Sequence, residues 1–293
     1  MTKKSPYLMK VLVTGVTGQL GYDVARELKR RGHRVIAPTH EKLDLTDQVK
    51  IIEYFERHTV DAVVHCAAYT AVDKAQEETK KCNDINVSAT RGLAKQCARL
   101  DIPLLYVSTD YVFPGTGDKP YEVGDRKGPL QEYGVSKLAG EEMVRSLCKK
   151  YFIVRISWVF GKNGKNFVKT ILKLTERKEK ISVVNDQIGS PTYTRDLAPL
   201  LCDMIESDKY GVYHATNEGF CSFYDFAQEI VKQSGKSLVI RPTTTADYNA
   251  PAPRPLNSRL SKKSLDEAGF RRLPPWQDAL SRYLIELGIK ENT

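Results

Sequence analysis

The chain contains no Cys-x-x-Cys pair and no cluster of cysteine with histidine, although it has six cysteines and five histidines. Zinc ribbons, zinc fingers and disulfide-stapled scaffolds are thereby excluded, because each needs ligands or half-cystines at short fixed spacings. Free thiols in a reducing compartment are what remains. No apolar run approaches the roughly 18 residues that a membrane-spanning helix requires. The basic start MTKKSPYLMK leads into no secretory core, since Lys10 interrupts the apolar stretch and glycines follow at once. The reading is a cytoplasmic protein without a membrane partner. Nor is there a single basic block: the net charge is +9, yet lysine and arginine are spread over many segments. That distribution gives a solvated surface, and no nucleic-acid partner is expected. With 41% hydrophobic and 28% charged residues over 293 positions, the chain is globular and long enough for one large domain or two ordinary ones.

From Lys10 onward, short β-branched runs alternate with amphipathic stretches: KVLVTG, QLGYDVARELKRRG, HRVIAP, TDQVKIIEYFERH, VDAVVHCAA, INVSATRGLAKQCARL, IPLLYVST, YGVSKLAGEEMVRSL and YFIVRIS. Strand followed by helix, repeated, predicts an α/β fold of Rossmann type. Right-handed crossovers make its sheet parallel and doubly wound, with helices on both faces. Beyond residue 160 the rhythm loosens into a helix in KNFVKTILKLTER, strands in ISVVN and GVYHATN, and helices in FYDFAQEIVKQSG and WQDALSRYLIEL. The proline-rich PTTTADYNAPAPRPLNSRL reads as an ordered connector without regular structure. The expected division is a dinucleotide-binding domain over residues 9–160, with a return segment near 188–216. A smaller, interleaved C-terminal α/β lobe over 161–187 and 217–293 would bind substrate.

The first strand runs into TGVTGQLG, which places Gly15, Gly18 and Gly21 at a strand-to-helix junction. Glycines there allow a tight turn, close approach to a pyrophosphate and tight helix packing, while the helix N-terminus favours the anion. The spacing is GxxGxxG rather than GxGxxG, but the flanking strand and helix supply the context that the fingerprint needs. An acid closing the second strand would bond the ribose of NAD and repel a 2′-phosphate. Here that strand ends at Pro38, followed by Thr39 and His40, with Arg34 and Lys42 nearby. NADPH is the expected cofactor, and NADH is not shut out. Asp44 comes a few residues later, placed either near the adenine or, like Thr46, as a helix cap.

In open parallel sheets the ligand sits at the carboxyl ends of the strands. The third strand ends in HCAAYTAVD and the fourth in YVSTDYVFPG, small and hydroxyl-rich in both cases. Thr109, at the tip of the fourth, can hold a carbonyl oxygen or cap a turn. On the next helix EYGVSK puts Tyr133 and Lys137 four residues apart, on one face. The spacing is weak evidence alone, yet among fifteen tyrosines Tyr133 is the only one with a lysine four residues on. Its position in the chain gives it meaning. Hydride transfer to a ketone needs a proton donor beside the developing alkoxide, and a tyrosine serves where a cation lowers its pKa from about 10.

Taken in this order, the motifs resemble the extended short-chain dehydrogenase/reductases and, among them, the dTDP-4-dehydrorhamnose reductase family. The likeness runs from Lys10 to Leu284 and rests on TGVTGQLG, CAAYTAVDKAQ, STDYVFPGTGDKPY, YGVSKLAGE, RISWVFG, NFVKTIL, VVNDQIGSPT, GVYHATN, RPLNSRL and PPWQDAL. It implies NADPH-dependent reduction of dTDP-4-dehydro-L-rhamnose, the last step in making dTDP-L-rhamnose for polysaccharides. By position, Tyr133 is implied as general acid, Lys137 as its electrostatic partner and a ligand of the nicotinamide ribose, and Thr109 as the positioning hydroxyl. Gly15, Gly18, Gln19, Leu20 and Gly21 would cradle the pyrophosphate, Asp44 and Leu45 would lie near the adenine, and Ala68, Tyr69, Thr70 and Val107 along the cofactor. Thr109, Asp110 and Trp158 would line the sugar pocket; Asn185, Gln187 and Arg254 would meet the nucleotide diphosphate. Trp158 also reads as a core aromatic and Arg254 as a loop-pinning arginine.

Relatives with other activities are separated by single positions. Nucleotide-sugar 4,6-dehydratases need an acid–base pair directly after the threonine, whereas here Asp110 is followed by Tyr111, so carbonyl reduction is favoured over elimination. Epimerases share the Tyr and Lys and are excluded less firmly. The regulatory beta subunits of methionine adenosyltransferase resemble the same family, keep the tyrosine–lysine pair and act as binding partners. The start of this chain close to its first strand, and STD where those relatives carry serine at the Thr109 position, favour the enzyme. Some family members carry magnesium at a dimer contact built from acids. This chain has Asp23 but Arg195 where a further acid is wanted, so no metal is assigned, and monomer and homodimer both fit.

Overall fold

Strand β1 (Lys10–Thr14) is KVLVT, a β-branched run suited to a strand covered on both faces, and every residue after Lys10 is buried. The computed structural model describes residues 8–291. After β1 come α1 (Gln19–Arg30), β2 (Arg34–Ile36), α2 (Gln48–Arg57), β3 (Ala62–His65), the short α3 (Val72–Ala75) and α4 (Thr79–Asn83). A π-helical turn over Asp84–Ser88 leads into α5 (Ala89–Leu100), then β4 (Leu104–Thr109), α6 (Glu132–Leu147) and β5 (Tyr151–Ile156). The remainder is β6 (Val159–Phe160), α7 (Phe167–Thr175), β7 (Lys180–Val184), β8 (Ile188–Gly189), β9 (Thr192–Tyr193), α8 (Thr194–Ile205) and β10 (Gly211–His214). It closes with β11 (Cys221–Ser222), α9 (Phe223–Ser234), β12 (Val239–Thr243), α10 (Thr245–Tyr248), α11 (Lys263–Glu267) and α12 (Trp276–Glu286).

Six strands form one parallel sheet in the order β10-β5-β4-β3-β1-β2. Alternation along β1 sends Val11 and Val13 into a core with Val24, Leu28, Leu197 and Leu201 of α1 and α8, and Leu12 into another with Leu93 and Val144 of α5 and α6. The expected Rossmann-type architecture is therefore present. The order reverses between β1 and β3, and the crevice beyond their carboxyl ends is where such sheets bind ligands. A further core, with Phe160, Val168, Ile171, Phe226, Ile230, Leu280 and Tyr283, joins α7, α9 and α12.

One expectation is corrected. The proline-rich segment begins inside regular structure, since Pro242 and Thr243 complete β12, which pairs in parallel with β7. Thr245–Tyr248 then form a helical turn, capped by the Thr244 hydroxyl accepting from the Asp247 N–H at 3.2 Å. Proline is tolerated because β12 belongs to a sheet of only two strands, so one of its edges calls for no donor. The rest is an irregular strap. It is held down where the Asn257 Nδ2 donates to the carbonyls of Thr116 (3.2 Å) and Lys119 (2.9 Å).

Candidate active site

At the β1–α1 junction the Gly18 N–H donates to the Gly15 carbonyl at 3.0 Å and closes the turn. Gly15 has φ +69°, and a Cβ on it would stand 2.7 Å from the Ala67 nitrogen; a Cβ on Gly21 would stand 2.3 Å from the Gly15 oxygen. Both positions exclude a side chain. No side chain caps the N-terminus of α1, so its first-turn N–H groups and its dipole are available to an anion.

This turn borders a cavity of about 880 Å³ that extends past the ends of β3 and β4 to α6 and on to Trp158 and Phe223. An adjoining pocket of about 250 Å³ is lined by Pro38, Thr39, His40, Asp44 and Leu45. Of the residues singled out in the sequence, Gly15, Gly18, Gln19, Leu20, Ala68, Thr70, Val107, Thr109, Asp110, Tyr133, Lys137 and Trp158 all line the larger cavity. Five others lie elsewhere. Gly21 packs beneath the turn. Tyr69 is buried beside Ala75 and Cys82, with its hydroxyl donating to Glu78 at 3.0 Å. Asn185 is exposed at the end of β7. Gln187 donates to the Thr245 hydroxyl at 3.0 Å. Arg254 donates from Nη2 to both Asp73 oxygens at 2.8 and 2.9 Å, tying the strap to α3.

Helix α6 brings Tyr133 and Lys137 to β4. Its N-cap is Gln131, whose side chain accepts from the Gly134 N–H at 2.7 Å, and a Cβ on Gly134 would meet the Tyr111 oxygen at 2.4 Å. Lys137 Nζ donates to the Val107 carbonyl at 2.7 Å and lies 4.0 Å from the Tyr106 ring centroid. The Thr109 hydroxyl donates to Asp110 Oδ1 at 3.0 Å and accepts from the Tyr111 N–H at 3.2 Å. Burial raises the Tyr133 phenol above its usual range, opposed by the nearby Thr109 hydroxyl. Burial also draws Lys137 down to about 7, with Glu141 the largest opposing influence. The Asp110 carboxyl is pushed up to about 6 by burial, moderated by Ser258 and Thr109, and among the described residues its Oδ2 has no hydrogen-bond partner. A buried acceptor in a cavity wall is suited to a ligand hydroxyl. Trp158 has φ +49°, a strained conformation for a non-glycine residue, and its ring stacks on Phe223 at 3.7 Å.

Two buried polar residues were not singled out in the sequence. Asn86, on the π-helical turn, accepts from the Tyr69 N–H at 2.8 Å and donates to the Ser136 hydroxyl at 2.9 Å, clamping the 67–70 segment to α6. Glu141 continues the four-residue repeat of Tyr133 and Lys137, which is the one signal that would have marked it. Asp23 accepts from the Thr194 hydroxyl at 2.6 Å, and Glu286 stands 3.6 Å from Arg195 and 3.9 Å from Arg26. Glu286 is thus met by arginines and Asp23 by a hydroxyl, and among the described residues no group of three or more His, Cys, Asp or Glu could hold a metal. All six cysteines are free.

A glycine turn, a hydroxyl-tipped fourth strand and a tyrosine–lysine helix face around one cavity define a short-chain dehydrogenase/reductase of the extended type. More narrowly, the chain belongs to the family of the RmlD substrate binding domain, whose model matches residues 9–289. It is 43% identical over 279 residues to the spore coat polysaccharide biosynthesis protein SpsK of Bacillus subtilis, covering 95% of this chain and 98% of that one. It is 38% identical over 275 residues to a dTDP-4-dehydrorhamnose reductase of Mycolicibacterium smegmatis, covering 92% and 84%. Its fold matches the crystal structure of a Bacillus anthracis dTDP-4-dehydrorhamnose reductase in complex with NADP, with TM-score 0.93, 38% identity, and coverage of 96% and 100%.

Proposed function

We propose that this protein reduces dTDP-4-dehydro-L-rhamnose to dTDP-L-rhamnose with NADPH, the last step in making that sugar donor for polysaccharide synthesis. The observation that carries the reading is the convergence of Thr109, Tyr133 and Lys137 on the cavity that begins at the glycine turn. Relatives that bear the reductase name at 38% identity support it. No helix among the described residues is long and apolar enough to cross a membrane.

The cofactor fits what the turn offers, with Gly15, Gly18, Gln19 and Leu20 around its pyrophosphate and Asp44 and Leu45 beside the adenosine. When bound, it supplies hydride to C4 of the sugar. Tyr133 donates its hydroxyl proton to the oxygen on that carbon, Lys137 stabilises the phenolate left behind, and Thr109 holds the oxygen in line. Asp110 accepts a sugar hydroxyl through its unpartnered oxygen, and the face of Trp158 walls the sugar. With Tyr111 after Asp110, no second acid stands ready for elimination. NADPH is the preferred donor because no carboxylate closes β2, and NADH, lacking only the 2′-phosphate, remains usable.

Mixing the purified protein with NADPH and the 4-keto sugar nucleotide should lower absorbance at 340 nm, with NADH slower at equal concentration. No oxidation of either would sink the reading. Gly21→Ala should weaken NADPH binding by about tenfold or more, since the methyl group displaces the Gly15 carbonyl, and should cost roughly 1–3 kcal/mol of stability. Fluorescence titration with NADPH, with thermal unfolding alongside, measures both; wild-type affinity in that variant would show that the turn does not hold the cofactor.

A further inference from the structure

Glu141 stands one helical turn beyond Lys137 and two beyond Tyr133, so the three share a face of α6. It is fully enclosed. Its Oε1 accepts from the Ser108 hydroxyl at 2.7 Å and from Arg155 Nε at 2.8 Å, and its Oε2 accepts from Arg155 Nη2 at 2.7 Å. Arg155 is equally buried, and its Nη1 donates to the Val123 carbonyl at 3.1 Å and lies 3.3 Å from His214 Nε2. Ser108 and Arg155 are register partners across β4 and β5, one residue before Thr109. Helix α6 is therefore attached to the end of β4 at two successive residues: Lys137 bonds the Val107 carbonyl and Glu141 bonds the Ser108 hydroxyl.

The groups that bear on the Lys137 ammonium are Glu141 on α6, Tyr106 on β4, His65 and Cys66 at the end of β3, and Cys82 of α4. Burial holds His65 neutral, near 3, and raises both thiols. Among these groups Glu141 is the one carboxylate; its oxygens are bonded to Arg155 and Ser108, so it acts on Lys137 through space, from one helical turn away.

Building on the function proposed above, we propose that Glu141 is a positioning residue for the reaction. Its carboxylate keeps Lys137 cationic, and its bond to Ser108 fixes the Tyr133 face of α6 against the Thr109 end of β4. A buried cation is tolerated only when answered. Burial alone pulls Lys137 toward neutrality and Glu141 opposes it, so removing the carboxylate lowers the pH at which the ammonium is lost.

Glu141→Gln keeps the size and an acceptor for Ser108. Glu141→Gln combined with Arg155→Met also removes the cation that would otherwise be left buried alone. Lys137 is titrated by lysine Cε NMR in the cofactor-free protein, its resonance assigned by its absence in Lys137→Met, and the pH profile of kcat is measured beside it. The expected result, in whichever variant folds, is a midpoint lower by about one unit, tenfold in proton concentration, with the alkaline limb of kcat moving the same way. Glu141→Asp should recover part of the shift. An unmoved midpoint, with kcat reduced by one factor at every pH, would overturn the inference. So would failure of both glutamine variants to fold, which would make the pair a holder of the fold. The NMR titration needs no turnover, so it decides this point even if the wild-type protein fails to oxidise NADPH and the proposed function falls.

Discussion

Replacing Tyr133 by phenylalanine is expected to lower kcat by about 10²- to 10⁴-fold while leaving NADPH affinity within about twofold of wild type. Only the hydroxyl is removed. The ring keeps its edge-on contact with Tyr111, at 5.7 Å between centroids, and its packing near Ala75 and Cys82, so the helix face has no reason to move. Burial raises the phenol, which keeps its proton on oxygen at neutral pH until a developing alkoxide takes it. Pre-steady-state absorbance at 340 nm and a fluorescence titration separate the two effects. Near-normal turnover would mean that another acid serves. Asp110 is the first alternative, because its carboxyl is pushed to about 6 and it lines the same cavity. An acid of that kind is protonated below pH 6, so residual activity in Tyr133→Phe that fades as pH rises through 6 would identify it.

The parts of this molecule that could be read from the sequence are those carried by neighbours along the chain. KVLVT followed by a glycine turn and an amphipathic helix gives β1 and α1, and repeating that unit gives the parallel sheet. Thr109, Tyr133 and Lys137 were legible because each sits at an end of such an element, and a doubly wound sheet gathers those ends at one edge. Pro242 misled because a proline count does not reveal a sheet edge, although Thr244 followed by Asp247 three residues on is a local capping signal. The contacts of Arg254 with Asp73, 181 residues away, and of Glu141 with Ser108, 33 away, leave no periodic trace. Sequence alone left Arg254 divided between binding a diphosphate and pinning a loop. In the structure Asp73 and the Ala252 carbonyl hold its guanidinium through Nη2 and Nη1, which pins the strap to α3.

Lys137→Met should be inactive yet no less stable than the wild type. Turnover is expected to fall by about 10²-fold or more, and NADPH affinity by about tenfold, because the ammonium is proposed both to steady the Tyr133 phenolate and to bond the nicotinamide ribose. Stability moves the other way. A lysine drawn from its ordinary 10.5 to about 7 by burial carries a folding penalty in its charged form. That penalty is complete below pH 7, where both states hold the proton, and is relieved as pH rises from 7 to 10.5, where the unfolded chain binds more protons than the folded one. Methionine removes a cost on the order of a few kcal/mol at pH 6. Against this stands the Val107 carbonyl, which loses its donor, at roughly 1–3 kcal/mol. The variant should therefore melt at or above the wild-type temperature at pH 6, with the difference shrinking toward pH 10. Thermal unfolding across that range, set beside the 340 nm assay, tests both halves. Loss of activity together with a lower melting temperature at pH 6 would show that Lys137 holds the structure together. Loss of activity with retained or increased stability would mean that the fold bears a buried cation whose return is in the reaction.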